Sequence, residues 1–283
     1  MTTSGETLTA PPPELRYRRR LQLSRSLLEL WRSRELVRTL AERELRARYK
    51  QAVLGFAWAV VTPLALMAVF TLFFNRLANI DTGPAPYPLF AYLGLLPWTF
   101  FSTSISQGGQ SLIQNIPLLN KVSFPRAVFP IASVAVAGLD MAVALGALGV
   151  LFAVFGFVPR ATSGWAPLLL LIQIGFTLGI ALVVSAVIVY LRDLRHALPI
   201  LLQLGLFATP VAYGIDVVPE RFQVLYVVLN PLAAVIDGYR RTVLFGQAPS
   251  WELIVPAGIS ALVVMAVGFL LFKRMETGFA DVA

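Results

Sequence analysis

Residues 131–157 read IASVAVAGLDMAVALGALGVLFAVFGF, and Asp140 is the only charged residue among these 27 positions. A helix of about 20 apolar residues is long enough to cross the hydrocarbon core of a bilayer. A chain in lipid must also satisfy its own backbone polar groups, which helices do internally. The stretch therefore predicts a membrane span and an all-α polytopic membrane protein.

The composition of the whole chain supports this prediction. Of its 283 residues, 57% are hydrophobic and 13% are charged, whereas about 25% are charged in typical soluble proteins. A soluble fold is therefore excluded. Six apolar runs are predicted to span the membrane and to form one transmembrane domain over residues 52–272. They lie at 52–74, 89–106, 131–157, 166–191, 197–213 and 253–272.

The segments that flank the spans are basic or polar. We expect residues 1–13 to form a disordered tail, and residues 273–283 a cytoplasmic C-terminal tail. In residues 14–51 apolar side chains recur at helical spacing beside many cations. This pattern predicts an amphipathic helix in the membrane interface, with its cations toward the lipid headgroups. Arg46, Arg48 and Tyr49 are the residues assigned to this interfacial helix. The alternative is that the helix also packs against a cytoplasmic partner.

The distribution of Lys and Arg predicts the orientation. Twelve of the 23 Lys and Arg residues precede residue 51. If the N-terminus is cytoplasmic, the inner segments carry 18 of these cations and the outer segments carry 5. Cytoplasmic segments are enriched in Lys and Arg, so both termini are predicted to be cytoplasmic. The net charge of +8 then reflects contact with membrane lipids, and no nucleic-acid partner is expected.

An apolar stretch in the last outer segment is too short for a span. It covers Phe222–Ile236, and Asn230-Pro231 interrupts it. Two short helices that enter and leave by the same face fit this pattern. We predict an outer re-entrant hairpin at the mouth of a pathway, flanked by Asp237 and Arg240. A peripheral hairpin that only caps the bundle is the alternative.

The connector between the second and third spans has an unusual sequence. Residues 108–130 read GGQSLIQNIPLLNKVSFPRAVFP, with three prolines, two cations and an apolar face. Proline interrupts helices, so the segment is divided into short pieces. It is predicted to be a rigid cytoplasmic knob that docks on another protein. A loop lying on lipid headgroups remains an alternative.

Residues that could perform chemistry are scarce. The chain has one histidine, His196, and no cysteine, which argues against metal sites and catalytic pairs. It has no Gly-x-x-x-x-Gly-Lys-Ser/Thr loop for ATP. Asp140 lies about 13 Å along its predicted span. We expect it to make a structural contact between helices, with Gln173 or Thr177 of the fourth span as candidate partners, and a role in proton coupling is the alternative.

Aromatic residues are the candidates for lining a pathway, because flat sugar faces stack on aromatic rings much as other apolar ligand faces do. Core packing or an interfacial aromatic belt is the alternative for each of them. The candidates are Trp58, Phe70, Phe74, Trp98, Phe101, Phe207 and Tyr213.

Several motifs in order resemble the permeases of polysaccharide-exporting ABC transporters, which include O-antigen, teichoic-acid and capsule exporters. They run from residue 30 to the C-terminus. The motifs are Arg48-Tyr49-Lys50-Gln51, Leu95-Leu96-Pro97-Trp98, Phe124-Pro125-Arg126, Arg192-Asp193, Pro210-Val211-x-Tyr213, Asn230-Pro231-Leu232 and Phe272-Lys273-Arg274-x-Glu276.

The resemblance implies a homodimer in the bacterial cytoplasmic (inner) membrane, with a lipid-linked glycan passing between the two copies. It also implies two copies of a separate ATPase subunit, which would bind ATP and Mg; this chain needs no cofactor of its own. The hairpin at Asn230 and Pro231 becomes an outer gate. The residues assigned to ATPase contact are Asn115, Leu118, Lys121, Phe124, Pro125, Arg126, Arg192 and Asp193.

Export of a lipid-linked polysaccharide is therefore the leading hypothesis for function. A permease of the same class that exports a lipid or a drug is one alternative. A membrane-embedded glycan or lipid transferase is another. The transferase would need acid–base residues at the membrane face, and the single histidine and few acids disfavour it.

Overall fold

The computed structural model describes residues 23–50, 55–77, 83–116 and 124–279. These residues form helices and connecting turns without a β-strand, which confirms the predicted all-α class. The α-helices are α1 Leu23–Arg32, α2 Arg34–Tyr49, α3 Trp58–Phe70, α4 Tyr87–Gln114, α5 Val128–Val154, α6 Ala166–Tyr190, α7 Leu194–Ala208, α8 Glu220–Leu229, α9 Pro231–Val243 and α10 Trp251–Met275. The predicted tail at 1–13 and the coupling candidates Leu118 and Lys121 lie outside the described residues.

Five helical stretches are long and apolar enough to cross a membrane. They are Gly55–Phe74, Tyr87–Gln114, Val128–Val154, Ala161–Tyr190 and Trp251–Gly278. They correspond to predicted spans one, two, three, four and six. The last one continues into the predicted tail at 273–283, because α10 ends only at Met275.

The second span is longer than predicted. The predicted span ends at residue 106, whereas α4 continues to Gln114. The first part of the predicted knob is therefore helical. Its Gly and Ser residues lower the hydropathy but allow close packing. A Cβ on Gly109 would lie 2.8 Å from Val184 of α6, and Ser111 donates a hydrogen bond to the Gly108 carbonyl at 2.6 Å.

The fifth predicted span, 197–213, is wrong in its extent. Helix α7 has 15 residues, or about 22 Å at helical rise, which is shorter than a bilayer core of about 30 Å. Pro210 cannot donate a helical hydrogen bond, and residues 209–214 are not helical. The count of six crossings therefore stays a prediction.

The break at Asn230-Pro231 is present. Helices α8 and α9 meet there at 113°. Pro231 is the first residue of α9, a position that proline favours. Whether this pair re-enters a membrane stays a prediction.

The segments predicted to be cytoplasmic meet at one end of the bundle, which we call the basic end. Side chains of α2, the last turns of α4, α6 and α10, and the first turn of α5 share a hydrophobic cluster there. Its buried members include Leu40, Leu112, Phe129, Val189, Phe272 and Phe279. The opposite end, with α8 and α9, is called the hairpin end; there Tyr87 donates a hydrogen bond to the Ala212 carbonyl at 2.8 Å.

Helix α4 lies at the centre of the helix bundle, and the first span lies at the edge of the bundle. All residues from Leu89 to Trp98 are buried. Of the residues in the most apolar stretch of α4, 72% are buried. In the corresponding stretch of Gly55–Phe74, only 11% are buried. The first span therefore presents most of its apolar surface to lipid or to another protein.

Candidate functional site

Arg126, a predicted coupling residue, is bound to the end of the last span. Its backbone amide donates to Glu276 Oε1 at 3.0 Å, and its Nη1 donates to the Glu276 carbonyl at 2.9 Å. Lys273 donates to Glu276 Oε2 at 2.7 Å, and the Arg126 guanidinium lies 5.7 Å from the Phe279 ring centre. Arg126 therefore links the start of α5 to the end of α10.

Asn115 follows the last residue of α4 and links that helix to α2. Its Nδ2 donates to the Ser111 carbonyl at 2.8 Å, and its Oδ1 accepts a hydrogen bond from Arg43 of α2. Phe124 is half-buried, with its ring centre 5.5 Å from that of Phe129. The described coupling candidates Asn115, before residues 117–123, and Phe124, after them, are therefore both held by contacts with neighbouring helices.

Arg192 and Asp193 form the exposed turn between α6 and α7. The Asp193 carbonyl accepts hydrogen bonds from the amides of His196 and Ala197, at 2.9 and 3.2 Å. Within the described residues their side chains form no ion pair. They are thus exposed directly after α6, whose last turn belongs to the hydrophobic cluster of the basic end.

Asp140 binds residues of the interfacial helix, so the predicted contact with Gln173 or Thr177 is wrong. Its carboxylate accepts hydrogen bonds from Arg48 Nη1 at 2.7 Å and from the Tyr49 hydroxyl at 2.6 Å. Gln173 instead accepts one from Tyr239 at 3.2 Å. Charged residues within membrane spans usually pair with one another. The cation Arg48 and the hydroxyl of Tyr49, just before the first span, could therefore have been predicted as partners of Asp140.

Arg48 is the centre of a larger polar cluster. Its Nη2 donates to Glu44 Oε1 at 3.2 Å, and Ser133 of α5 donates to Glu44 Oε2 at 2.9 Å. Burial, reinforced by the bond to Asp140, raises the pKa of Tyr49 to about 12. Arg48 and Tyr49 therefore dock α2 on α5, and Arg48 is bound within the chain instead of facing lipid headgroups as predicted. Arg46 is exposed, and its place in the membrane interface stays a prediction.

A cavity of about 330 Å³ lies beside this cluster, and we call it the interfacial cavity. Helices α2, α3, α4 and α5 contribute to its wall. Its polar and aromatic lining includes Arg48, Tyr49, Trp58, Thr62, Thr103 and Asp140.

Arg240, predicted to flank the outer gate, is buried and binds the irregular segment that follows α7. Its guanidinium donates to the carbonyls of Pro210 and Tyr213 at 2.8 Å each, and to those of Val211 at 2.5 Å and Phe90 at 3.1 Å. It also lies 3.5 Å from the Phe90 ring centre. One side chain thus satisfies backbone groups that the end of α7 leaves free.

Asn230 and Tyr226 tie the hairpin to the same segment. Asn230 Nδ2 donates to Thr209 Oγ1 at 2.8 Å, and the Tyr226 hydroxyl donates to the Ala208 carbonyl at 2.6 Å. Pro231 is buried and Asp237 is partly exposed. The hairpin and the end of α7 therefore form one connected unit.

The candidate pathway aromatics divide into two groups. Phe70 and Trp98 are buried in the chain, and Phe74, Phe101 and Tyr213 are partly buried. Trp58 and Phe207 are 52% and 55% exposed. The structure brings Trp58 to the interfacial cavity, and a role of any of these residues in a pathway stays a prediction.

Comparison with known proteins adds to this geometry. The chain matches the ABC-2 type transporter family over residues 35–244. It is 33% identical to an O-antigen export system permease protein, RfbA, of Myxococcus xanthus, over 91% of this chain and 98% of that protein. A Klebsiella pneumoniae RfbA is 28% identical over 88% and 95% of the two chains. An Escherichia coli polysialic acid transport protein, KpsM, is 24% identical over 85% and 93%.

Proposed function

We propose that this chain, which belongs to the ABC-2 type transporter family of membrane permeases, exports a lipid-linked polysaccharide of the O-antigen or capsule type. The main support for this proposal is the similarity to a permease named for O-antigen export, at 33% identity over 98% of that protein. The family match over residues 35–244 includes the first four described spans and the pair α8 and α9.

Two copies of the chain are proposed to form the pathway between them. Trp58 and Phe207 are more than half exposed, and α7 also exposes Ile200, Leu201 and Leu204. These surfaces lie outside the packed core of a single copy, which supports a pathway lined by two copies. The hairpin at Asn230-Pro231 would then close it at the hairpin end.

Energy is proposed to come from two copies of an ATP-binding subunit that hold ATP and Mg. They would dock at the basic end, on residues 115–126 and on the exposed Arg192-Asp193 turn. Closure of the subunits would displace these segments and shift the bundles between two arrangements. The bond of Arg126 to Glu276 would carry the displacement to α10, and the bond of Arg43 to Asn115 would carry it to α2.

The proposed location is the cytoplasmic membrane of a bacterium, with the basic end and both termini inside. The support is the excess of Lys and Arg in the segments assigned to the inside, 18 against 5. The described parts of those segments meet at the basic end.

Deletion of the gene in its native cell, with complementation by the intact gene, tests this function. We expect surface polysaccharide to disappear and lipid-linked glycan to accumulate inside the cell, and both changes to reverse on complementation. Unchanged surface polysaccharide would contradict glycan export and leave a lipid or drug as cargo. Loss of the glycan without accumulation inside would point to a transferase.

A further inference from the structure

We propose that the interfacial cavity binds an uncharged sugar unit of the exported glycan, an inference that rests on the proposed function. Its volume of about 330 Å³ is at the lower end of the roughly 300–1,000 Å³ that small-ligand pockets occupy. The cavity therefore suits a small unit of a glycan and not a long stretch of it.

The charges of the cavity disfavour a phosphate group as its ligand. Arg48 contacts two carboxylates, Asp140 at 2.7 Å and Glu44 at 3.2 Å. The single guanidinium is thus already neutralised, and the cluster has no surplus positive charge. An anionic lipid headgroup would meet a site with one more carboxylate than cations.

The same groups suit sugar hydroxyls. A carboxylate has about four lone-pair positions, and each Asp140 oxygen accepts one described hydrogen bond. Asp140, which lines the cavity, therefore keeps free acceptor capacity. Thr62 and Thr103 add hydroxyls that can donate and accept, and Trp58 adds a half-exposed aromatic face on which an apolar sugar face can lie.

Thr62 lines the cavity from the first span. It is exposed on the first span, where a polar side chain would otherwise face lipid. Polar groups within membrane spans usually face the interior of a bundle or a water-filled cavity. A ligand in the interfacial cavity can enter past Thr62 and Trp58 from the side of the first span.

Site-specific photo-crosslinking in cells that make the glycan tests this site in the full complex. A benzophenone amino acid replaces Thr62 in one protein. In the control it replaces Leu262, which is 71% exposed and lies on α10, a helix that contributes no residue to the cavity wall. Mass spectrometry identifies the adducts formed with the cell's own lipid-linked glycan. We expect a glycan adduct at position 62 that exceeds the one at position 262 at least fivefold and disappears when glycan synthesis is blocked.

Two variants of the crosslinking protein test the lining. Trp58→Ala should lower the glycan adduct at position 62 severalfold, whereas Phe73→Ala, which removes a ring of matching exposure, should not. An adduct at position 62 that contains only phospholipid, or equal glycan yields at both positions, would overturn the site. Because complementation measures export separately, that result would leave the proposed function standing.

Discussion

Arg126 and Glu276 are separated by 150 residues in the chain and joined by two hydrogen bonds. The backbone amide of Arg126 binds the Glu276 carboxylate, and its guanidinium binds the Glu276 carbonyl. The first bond does not depend on the side chain of Arg126, so the start of α5 is held to the end of α10 by its backbone as well. We therefore expect these two helix ends to move together.

Glu276→Ala should weaken the coupling of ATP hydrolysis to export. The substitution removes the acceptor of the Arg126 amide and leaves the nearly buried Lys273 without its carboxylate. We expect at least a threefold fall in glycan exported per ATP, and a loss of about 1–3 kcal/mol in stability. Glu276→Gln keeps an acceptor and should be milder. Glu252→Ala, at the exposed start of the same helix, is the control, and equal effects of the two alanine variants would refute this role.

Arg240→Lys should destabilise the chain although the charge is kept. An ammonium group cannot reproduce the planar fork that donates to four carbonyls of α4 and the segment after α7. Each buried carbonyl left unsatisfied costs about 1–3 kcal/mol. We expect a clear fall in apparent melting temperature in detergent, followed by tryptophan fluorescence. Arg241→Lys, at the less buried neighbouring position, should change it little.

Gly94→Ala should produce a defect like that of Arg240→Lys. A Cβ at this position would lie 2.5 Å from Arg240 Nη2 and 2.6 Å from the Val211 carbonyl. The guanidinium or the backbone after α7 must therefore move. Gly149→Ala in α5 is the control, because its Cβ would meet no atom within 4 Å and helix propensity favours alanine by about 1 kcal/mol. The same melting assay applies, and a neutral Gly94→Ala would refute the close approach.

Asp140→Asn should loosen α2 from α5. The amide removes the charge that balances Arg48, although Glu44 remains. We expect amide hydrogen exchange in α2 to increase severalfold, while exchange in α10 stays unchanged. A double variant that exchanges the two charges, Arg48→Asp with Asp140→Arg, should restore part of the protection of α2 against hydrogen exchange. Unchanged exchange in α2 would show that the pair does not hold this helix.

The contact between Tyr49 and Asp140 should resist alkaline pH. The pKa of Tyr49 is about 12 in the folded chain, against about 10 in an unfolded one. A raised pKa means that the hydroxyl's contribution is complete below pH 10 and is lost as the pH rises toward 12. Protection of α2 should therefore be independent of Tyr49 ionisation at neutral pH, and Tyr49→Phe should remove the alkaline change.

Features that depend on local sequence could be predicted, and long-range pairings could not. Runs of apolar residues located five spans, because the length needed to cross a bilayer can be counted along the sequence. Asn230-Pro231 located the bend, because proline lacks the amide that would continue the preceding helix. Hydropathy placed the end of α4 too early, since Gly108 to Ser111 are polar or small yet packed on α6. The partners of Asp140 and the burial of Arg240 depend on which helices become neighbours, which periodicity does not report.

The central claim is that this chain is a permease driven by a subunit it does not contain. Purified chain reconstituted in liposomes, with and without the ATP-binding subunit that copurifies from native membranes, tests it most directly. Uptake of lipid-linked glycan and release of phosphate are measured in the same vesicles. Our account predicts neither activity with the chain alone and both when the second subunit is added. Glycan transport or ATP hydrolysis by the chain alone would contradict it.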